Sequence, residues 1–389
     1  MSKRTPVIVG IADVPLAAGK FAQGETVLQA QAKAVHGALA DAGLSLNDVD
    51  GLLTAGAWGY PGPGMLMPLA VAEYLSISPR YLDGTNIGGS VFEAHVAHAA
   101  MALQAGYCEV AVIVYGSAQR SARSRSAGGR PTEFMNQYEV PFGHMVPVGS
   151  YAMAAHRYMH EYKRGPEDLA EVAVAARKWA QLNPAAFARD PLSVEDVFAS
   201  PLLCDPLHVR DCCLVTDGAG AIVMTTAERA RDSKSRPISL LGYGEAAGNL
   251  QISEMEDLAW LKPAAMAGGR ALDMAGLKHG DIDVLQVYDS FTITVLLTLE
   301  ALGFCERGQA GEFIRAGHTG KGGKLPMNTS GGGLSCMHPG MYGMFLLIEA
   351  VRQLRGECGE RQVADAEVAL VHGTGGYLSS GATCILGRG

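Results

Sequence analysis

Short apolar runs alternate with longer amphipathic stretches along the chain, and the pattern recurs with a period of about half the chain length. Residues 6–13 (PVIVGIAD) and 237–245 (PISLLGYGE) are each typical of a strand. Residues 42–53 (AGLSLNDVDGLL) and 275–286 (AGLKHGDIDVLQ) share a helix end at Gly, a polar turn and a second strand. The hydrophobic pattern therefore predicts an internal duplication.

A third pair of strands supports this duplication. Residues 109–116 (EVAVIVYG) and 367–373 (EVALVHG) are β-branched runs that end at Gly, as buried parallel strands do. Helical stretches precede them at 90–104 and 342–354. Each half therefore has the predicted order β-α-β-α-β, which favours a sheet covered by helices on both faces. Two such halves packed face to face predict an α/β fold, a five-layer α-β-α-β-α sandwich.

A long insertion separates the two repeats. It covers about residues 117–235 and contains two amphipathic helical stretches, at 147–164 and 167–182. We interpret the insertion as a loop domain over the mouth of the active site. The predicted domains are thus an N-terminal half, 1–235, that includes the loop domain, and a C-terminal half, 236–389.

Composition and charge exclude several classes of protein. The 389 residues are 48% hydrophobic and 18% charged, as expected of a folded α/β enzyme and not of a disordered chain. The net charge is −8 without a run of basic residues, which disfavours nucleic-acid binding. No apolar stretch reaches the length of a membrane span, and the first residues lack an apolar leader. We expect a cytoplasmic protein without a membrane partner.

The eight cysteines do not predict a metal site. No two of them form a Cys-x-x-Cys pair, and the spacing of Cys204, His208 and Cys212 only faintly matches zinc ligands. Reduced thiols in a cytosolic protein are the better interpretation.

Five motifs, taken in order, resemble the thiolase superfamily and most closely its sterol-carrier-protein-x-type branch. They are GGSVFEAHVAHAAMALQAG (88–106), RDCCLVTDGAGAIVM (210–224), VYDSF (287–291), NTSGGGLSCMHPGMYG (328–343) and HGTGG (372–376). The resemblance covers essentially the whole chain. It implies a duplicated thiolase fold, an acyl-CoA thioester as substrate and a homodimer. Coenzyme A then enters as part of the substrate, and we expect no covalently bound cofactor.

The resemblance also shows that the usual nucleophile is missing. The position of the family's cysteine falls on Gly89, and residues 86–90 contain no cysteine. Loss of a covalent nucleophile costs a factor on the order of 10⁵–10⁶ in rate. Ser90, after a shift of one residue, or Cys336 would have to replace it, and serine is a poor nucleophile without an adjacent base. The ordinary thiolase reaction is therefore disfavoured.

Five residues are the predicted catalytic groups. The resemblance implies that His338 polarises the thioester oxygen or accepts a proton, and a neutral imidazole can do either near pH 7. Tyr288 stands where the family has Asn or His, and with a pKa near 10 it is expected to donate a hydrogen bond or a proton. Backbone N–H groups of Gly89 and Gly375 are expected to form the oxyanion hole. His372 is a candidate additional base.

The remaining motif residues are expected to line the substrate pocket. These predicted substrate-binding residues are Ser90, Asp289, Asn328, Cys336 and Tyr342.

Without thiols, this set still favours one reaction. A retro-aldol cleavage of a β-hydroxyacyl-CoA needs a base for the hydroxyl and donors for the enolate, but no acyl-enzyme. Branch members that lack the cysteine and carry this Tyr resemble steroid side-chain aldolases, which work with a small OB-fold/zinc-ribbon partner protein. We therefore predict aldol-type C–C cleavage or formation in the degradation of a steroid or an aromatic acid. Thiolase-type acyl transfer and a catalytically silent scaffold subunit are the alternatives.

Overall fold

The computed structural model describes residues 4–56, 66–122 and 132–389. Its strands are β1 (Pro6–Asp13), β2 (Gly51–Thr54), β3 (Tyr81–Asp83), β4 (Val110–Ser117), β5 (Leu202–Cys204), β6 (Leu207–His208), β7 (Gly218–Thr226), β8 (Ile238–Ala247), β9 (Val284–Val287), β10 (Val368–Gly375) and β11 (Ser380–Arg388). Its α-helices are α1 (Val27–Ala42), α2 (Met67–Tyr74), α3 (Val91–Ala105), α4 (Glu133–Tyr138), α5 (Val148–Tyr162), α6 (Glu167–Gln181), α7 (Val194–Ala199), α8 (Lys262–Ala275), α9 (Thr292–Ala301), α10 (Ala310–Arg315), α11 (Gly332–Ser335) and α12 (Gly343–Arg355).

The two halves have the same strand order. The first-half sheet runs β3-β2-β4-β7-β1 and the second-half sheet β9-β10-β11-β8, so that β2, β4, β7 and β1 match β9, β10, β11 and β8. In both halves the strands that follow a helical crossover pair in parallel, and the last strand is antiparallel. The predicted duplication is confirmed, and each half has one antiparallel strand, β7 or β11, beyond the predicted β-α-β-α-β.

The two sheets also join at one edge. Strands β1 and β8 pair over only two positions, Val7 with Ser239 and Ile8 with Ile238. The result is a continuous nine-stranded sheet that folds back on itself. The hydrophobic pattern does not predict this short seam, because a pairing of two residues leaves no pattern in the sequence.

Helices divide the molecule into the five predicted layers. Helices α3 and α12 contact each other and strands of both halves, which places them in the central layer. Helix α1 lies on β1, β7 and β4, and α2 lies on β2, on the outside of the first half. Helix α8 covers β8 and β11 on the other outside, with α9 beside it. Both central helices are buried around most of their circumference, as helices between two sheets must be.

The insertion packs on the second half. Helix α5 contacts α9, and α6 contacts α9, α10 and α11. The predicted range of about 117–235 is too long, because β7 lies between β4 and β1 in the first-half sheet. The inserted segment therefore ends before Gly218. The last part of the predicted range contains β7, a central strand of the first-half sheet. The division of the chain at 235/236 stays a prediction.

In each half a glycine lets a helix lie directly on a strand. A Cβ at Gly10 of β1 would collide with the backbone carbonyl of Ala38 in α1, and a Cβ at Gly242 of β8 would collide with that of Ala271 in α8. Both glycines follow an irregularity in strand pairing, a β-bulge. The equivalent positions therefore solve the same packing problem in both halves.

No helix in the described part of the chain is both long and apolar enough to span a membrane.

We expect Gly10→Ala and Gly242→Ala each to lower the free energy of unfolding by about 3 kcal/mol, because the added methyl group meets backbone that cannot move aside. Gly269→Ala is the matched control. Gly269 is an exposed position of α8 with open space around it, and there alanine should stabilise the helix by about 0.5–1 kcal/mol. Urea unfolding followed by circular dichroism measures all three. Equal stability of Gly10→Ala and wild type would contradict this packing.

Candidate active site

A tyrosine and a histidine from different segments meet at the centre of the site. Tyr288 directly follows β9, and its Oη lies 3.0 Å from Nε2 of His338. The same oxygen accepts a hydrogen bond from the N–H of Tyr342 at 3.2 Å and can donate to the Gly340 carbonyl at 3.3 Å. Tyr288 is 4% exposed and His338 6%. The structure therefore brings together the two main catalytic residues that the motifs predicted.

Burial keeps both groups of this pair uncharged. It raises the pKa of the Tyr288 phenol well above 10, and it lowers the pKa of His338 to about 4. Near neutral pH the phenol therefore holds its proton and the imidazole is a neutral acceptor. The pair is suited to pass a proton from Tyr288 to His338 when another group delivers a proton to Tyr288. A resting tyrosinate base would require a lowered pKa of Tyr288, and its pKa is raised instead.

Tyr342 packs against the Tyr288–His338 pair. Its ring stacks on His338 with 5.9 Å between ring centroids and on Phe345 with 5.8 Å. Its hydroxyl lies 3.2 Å from Oγ of Ser330. Tyr342 thus belongs to the site, where its backbone N–H fixes the Tyr288 hydroxyl.

Asp289 and Asn328 hold the loop that carries His338. The Asp289 carboxylate accepts the N–H groups of Gly333 at 2.7 Å and Leu334 at 3.1 Å. Burial raises its pKa to about 7, although these hydrogen bonds oppose the shift. Asn328 Oδ1 accepts the N–H of Val287 at 2.8 Å. Both side chains are therefore engaged by backbone, and we interpret these predicted substrate-binding residues as positioning groups.

Gly89 leaves the space that Tyr288 fills. It lies in the 3₁₀ turn Gly88–Ser90 that leads into α3. A Cβ at Gly89 would stand 2.5 Å from Cζ of Tyr288 and 2.6 Å from the Thr374 carbonyl oxygen, both far inside van der Waals contact. A cysteine at this position and the present Tyr288 ring exclude each other.

The two predicted oxyanion segments also meet. Gly88 has φ +79°, and a Cβ there would lie 2.9 Å from Cα of Gly375 and 2.5 Å from the Gly376 nitrogen. The turn before α3 and the end of β10 therefore touch backbone to backbone, with Gly89 and Gly375 at the contact. That the N–H groups of Gly89 and Gly375 bind a developing oxyanion stays a prediction.

Neither proposed replacement nucleophile is activated. Ser90 is fully buried, and its Oγ lies 2.8 Å from Oγ of Ser380, which in turn donates to the Ile87 carbonyl. Burial raises the pKa of the Cys336 thiol to about 12, and its sulfur lies 3.5 Å from Nδ2 of Asn183. Neither hydrogen-bond pattern includes a general base.

The structure does not bring His372 to the pair. Successive residues of a strand face opposite sides, and Gly373 faces α3, so His372 faces the other side of β10. Its Nδ1 lies 2.8 Å from Oγ1 of Thr383, and burial lowers its pKa to about 3. The predicted additional base therefore lies behind the sheet that carries the site.

Two positioning residues come from segments in which no residue was predicted. Tyr115, at the end of β4, donates to the Pro339 carbonyl at 2.6 Å and accepts the N–H of Met341 at 3.2 Å. Thr216 accepts the N–H of His338 at 3.0 Å. Thr216 lies within the matched motif at 210–224, but only the folded chain shows that its hydroxyl faces the His338 loop.

A charged network orders the segment before Gly89. Asp83 accepts Nδ1–H of His98 at 2.8 Å and the N–H of Thr85 at 2.7 Å. His98 Nε2 also lies 3.3 Å from Glu245 of β8, so that α3 is tied to both halves. Among the described residues no group of His, Cys, Asp or Glu is arranged to hold a metal ion.

With this geometry established, comparisons with known proteins identify the family. Residues 244–388 match the family described as Thiolase C-terminal domain-like. A 17-hydroxy-3-oxo-4-pregnene-20-carboxyl-CoA lyase from Mycobacterium tuberculosis is 37% identical, over 92% of this chain and 94% of the relative. The chain belongs to the thiolase superfamily.

Other relatives place it in the thiolase-like branch that the motifs indicated. A steroid side-chain-cleaving aldolase from Thermomonospora curvata is 35% identical, over 90% of this chain and 91% of the relative. A solved structure described as an Ltp2-ChsH2(DUF35) aldolase superposes with a TM-score of 0.87 at 34% identity, over 100% of this chain and 99% of that chain. The thiolase fold is thereby confirmed.

A side chain at position 89 would clash with the Tyr288 ring. We therefore expect the effects of substitutions at positions 89 and 288 on the free energy of unfolding to be coupled. Gly89→Ala alone should lower the free energy of unfolding by about 1–3 kcal/mol. In the double variant with Tyr288→Ala part of this cost should disappear, because the ring that the methyl group meets is gone while the Thr374 carbonyl oxygen remains. A double-mutant cycle by urea unfolding measures the coupling, and strict additivity would contradict the packing.

The His98–Asp83 pair predicts a pH-dependent stability. The hydrogen bond to Asp83 raises the pKa of His98, whereas burial alone would lower it. Its stabilisation is therefore complete below the unfolded pKa of about 6.5 and is lost as the pH rises through the folded value. Burial alone would raise the pKa of Asp83, but the hydrogen bonds from His98 and Thr85 lower it further than burial raises it. The stabilisation that the Asp83 carboxylate contributes is therefore lost only in acid.

We expect wild type and His98→Gln to differ most in stability near pH 5–6 and to converge above neutral pH. Thermal unfolding across pH 5–9 measures the difference. A gap that stays constant over this range would show that charge on His98 does not contribute.

Proposed function

We propose that this thiolase-superfamily enzyme cleaves or forms a C–C bond of a β-hydroxyacyl-CoA by an aldol route, without an acyl-enzyme. One observation carries the proposal: the Tyr288 ring occupies the space beside Gly89, and its hydroxyl lies 3.0 Å from a neutral His338. The place of a nucleophile is thus taken by a proton-transfer pair.

The pair and the glycine turn supply the two functions that the cleavage needs. The substrate's β-hydroxyl gives its proton to Tyr288 as Tyr288 gives its own to His338. The C–O bond becomes a carbonyl, the Cα–Cβ bond breaks, and its electrons form the enolate of the thioester. We expect the N–H of Gly89, just before α3, and the adjoining backbone of Gly375 to stabilise the enolate oxygen.

The relatives indicate the class of substrate. In the compound after which the Mycobacterium tuberculosis relative is named, the 17-hydroxyl is β to the thioester carbonyl. Retro-aldol cleavage of such a compound releases a 17-ketone and a three-carbon acyl-CoA. We propose a polycyclic β-hydroxyacyl-CoA of steroid degradation for this chain, with coenzyme A as part of the substrate and no covalently bound cofactor.

Two kinds of protein partner belong to the proposal. The solved relative is described as a complex with ChsH2(DUF35), which supports a small OB-fold/zinc-ribbon partner here. A homodimer is supported by the free edge of the first-half sheet, where β3 is the last strand and Leu82 is 39% exposed. Leu66, Leu69 and Tyr74 expose further apolar surface nearby. All eight thiols are free, which supports a reducing cytoplasmic location.

The alternative functions lack a supporting observation. Acyl transfer would need Ser90 or Cys336 as an activated nucleophile, and neither has a base. A silent scaffold would not need a buried Tyr–His pair within hydrogen-bond distance.

Tyr288→Phe removes the hydroxyl that relays the proton, and His338→Asn removes the acceptor. Each should lower the rate of ketone release from a 17-hydroxy-steroid-20-carboxyl-CoA by about 10²–10⁴-fold. The assay follows the ketone and the released acyl-CoA by liquid chromatography, with and without an added DUF35-type partner.

Cys336→Ser and Ser90→Ala test whether either side chain acts as a nucleophile. Under the aldol route both variants should release ketone, since no acyl group is transferred to either side chain. Full activity of Tyr288→Phe, or loss of activity only in a folded Cys336→Ser or Ser90→Ala, would contradict the proposal.

A further inference from the structure

A buried carboxyl group borders the site without any partner. Glu93, in the first turn of α3, is 1% exposed, and in the described part of the chain neither of its oxygens has a hydrogen-bond or ion-pair partner. Burial of an unpaired carboxyl is costly, so such a group calls for an explanation. Burial also raises the pKa of Glu93 to about 8, and the group therefore carries a proton near neutral pH.

Two glycines make the room for this carboxyl. A Cβ at Gly343 would lie 2.8 Å from Oε1 of Glu93 and 2.6 Å from the carbonyl oxygen of Gly89. A Cβ at Gly373 would lie 2.7 Å from Cδ of Glu93. No other residue type fits at either position while Glu93 keeps its place.

Both glycines belong to the segments that hold Tyr288. Gly343 follows Tyr342, whose N–H binds the Tyr288 hydroxyl. Gly373 follows His372, whose carbonyl accepts the backbone N–H of Tyr288 at 3.0 Å. The carboxyl thus lies between the backbone walls of the site and directly beside the Gly89 turn.

The aldol route requires a second proton transfer that the Tyr288–His338 pair does not perform. After the C–C bond breaks, the enolate carbon must receive a proton to give the acyl-CoA product. The other acids near the site are engaged, since Asp289 binds two backbone N–H groups and the Tyr342 hydroxyl is bonded to Ser330. Among the described residues around the pair, Glu93 carries a proton that no neighbour binds.

We propose that Glu93 exchanges a proton with the α-carbon of the acyl-CoA, an inference that rests on the aldol function proposed above. In the cleavage direction a Cα–H bond forms with the Glu93 proton, and the enolate electrons restore the thioester carbonyl. The carboxylate then regains a proton from water, while the imidazolium of His338 returns the proton of the β-hydroxyl to solvent. In the reverse direction Glu93 removes the α-proton.

This role gives the protein a further activity that can be measured without any steroid. The α-hydrogens of a simple acyl-CoA should exchange with solvent on the enzyme. The experiment incubates the full-length protein with propionyl-CoA in D₂O and follows deuterium at the α-carbon by mass spectrometry.

Three variants test the transfer of the α-proton. Glu93→Gln keeps the shape and the neutral state of the side chain but has no acidic proton, and it should lose at least about 100-fold of the exchange rate. Gly269→Ala, at an exposed position of α8, is the control and should exchange at the wild-type rate. Glu93→Asp should exchange about tenfold more slowly than wild type while binding propionyl-CoA equally well.

The outcomes distinguish this inference from the proposed function. Exchange in Glu93→Gln at the wild-type rate, or no exchange by wild type, overturns the role of Glu93 even if ketone release is normal. Exchange that depends on Glu93 without any ketone release supports the role and contradicts the aldolase. If Glu93→Gln does not fold, Glu93→Asp decides: an unchanged rate overturns the inference, and a tenfold loss at an unchanged Kd supports it.

Discussion

The absence of a side chain at Gly89 is the constraint on which the site depends. Only a residue without Cβ lets the Tyr288 ring lie against the turn before α3, and only this position of the ring brings its hydroxyl to His338 and to the N–H of Tyr342. The same constraint removes the acyl-accepting thiol. Glycine at position 89 therefore replaces covalent catalysis by proton transfer, while the rest of the fold is kept.

The duplicated architecture explains why these groups meet. The equivalent central helices α3 and α12 both begin at the site, α3 after Gly89 and α12 after Tyr342. Their N-termini carry partial positive charge, which favours an enolate oxygen and disfavours a proton on His338. Burial between these elements lowers the pKa of His338. Each half supplies one helix start, so the site forms only when the two halves pack together.

The motifs were enough to predict the fold and to name Tyr288 and His338 as candidate catalytic residues, since both follow from the order of matching segments along one chain. They were not enough to assign side-chain directions. The side chains of Asp289 and Asn328 accept backbone N–H groups. His372 lies on the face of β10 away from the site, because one step along a strand moves a side chain to the opposite face. Tyr115 and Thr216 act through contacts between distant segments, and nothing in the helical pattern of residues 90–104 marks Glu93 as a carboxyl without a partner. Burial without a partner is visible only once the chain is folded.

The central claim is that the reaction proceeds without an acyl-enzyme, and intact-protein mass spectrometry during turnover tests it most directly. The protein, of 40.8 kDa, is quenched in acid at short intervals while it consumes a 17-hydroxy-steroid-20-carboxyl-CoA. We predict that the protein mass stays unmodified at every time point while ketone accumulates. An acyl adduct that forms and decays at the rate of turnover, on Ser90, Cys336 or any other residue, would contradict the account.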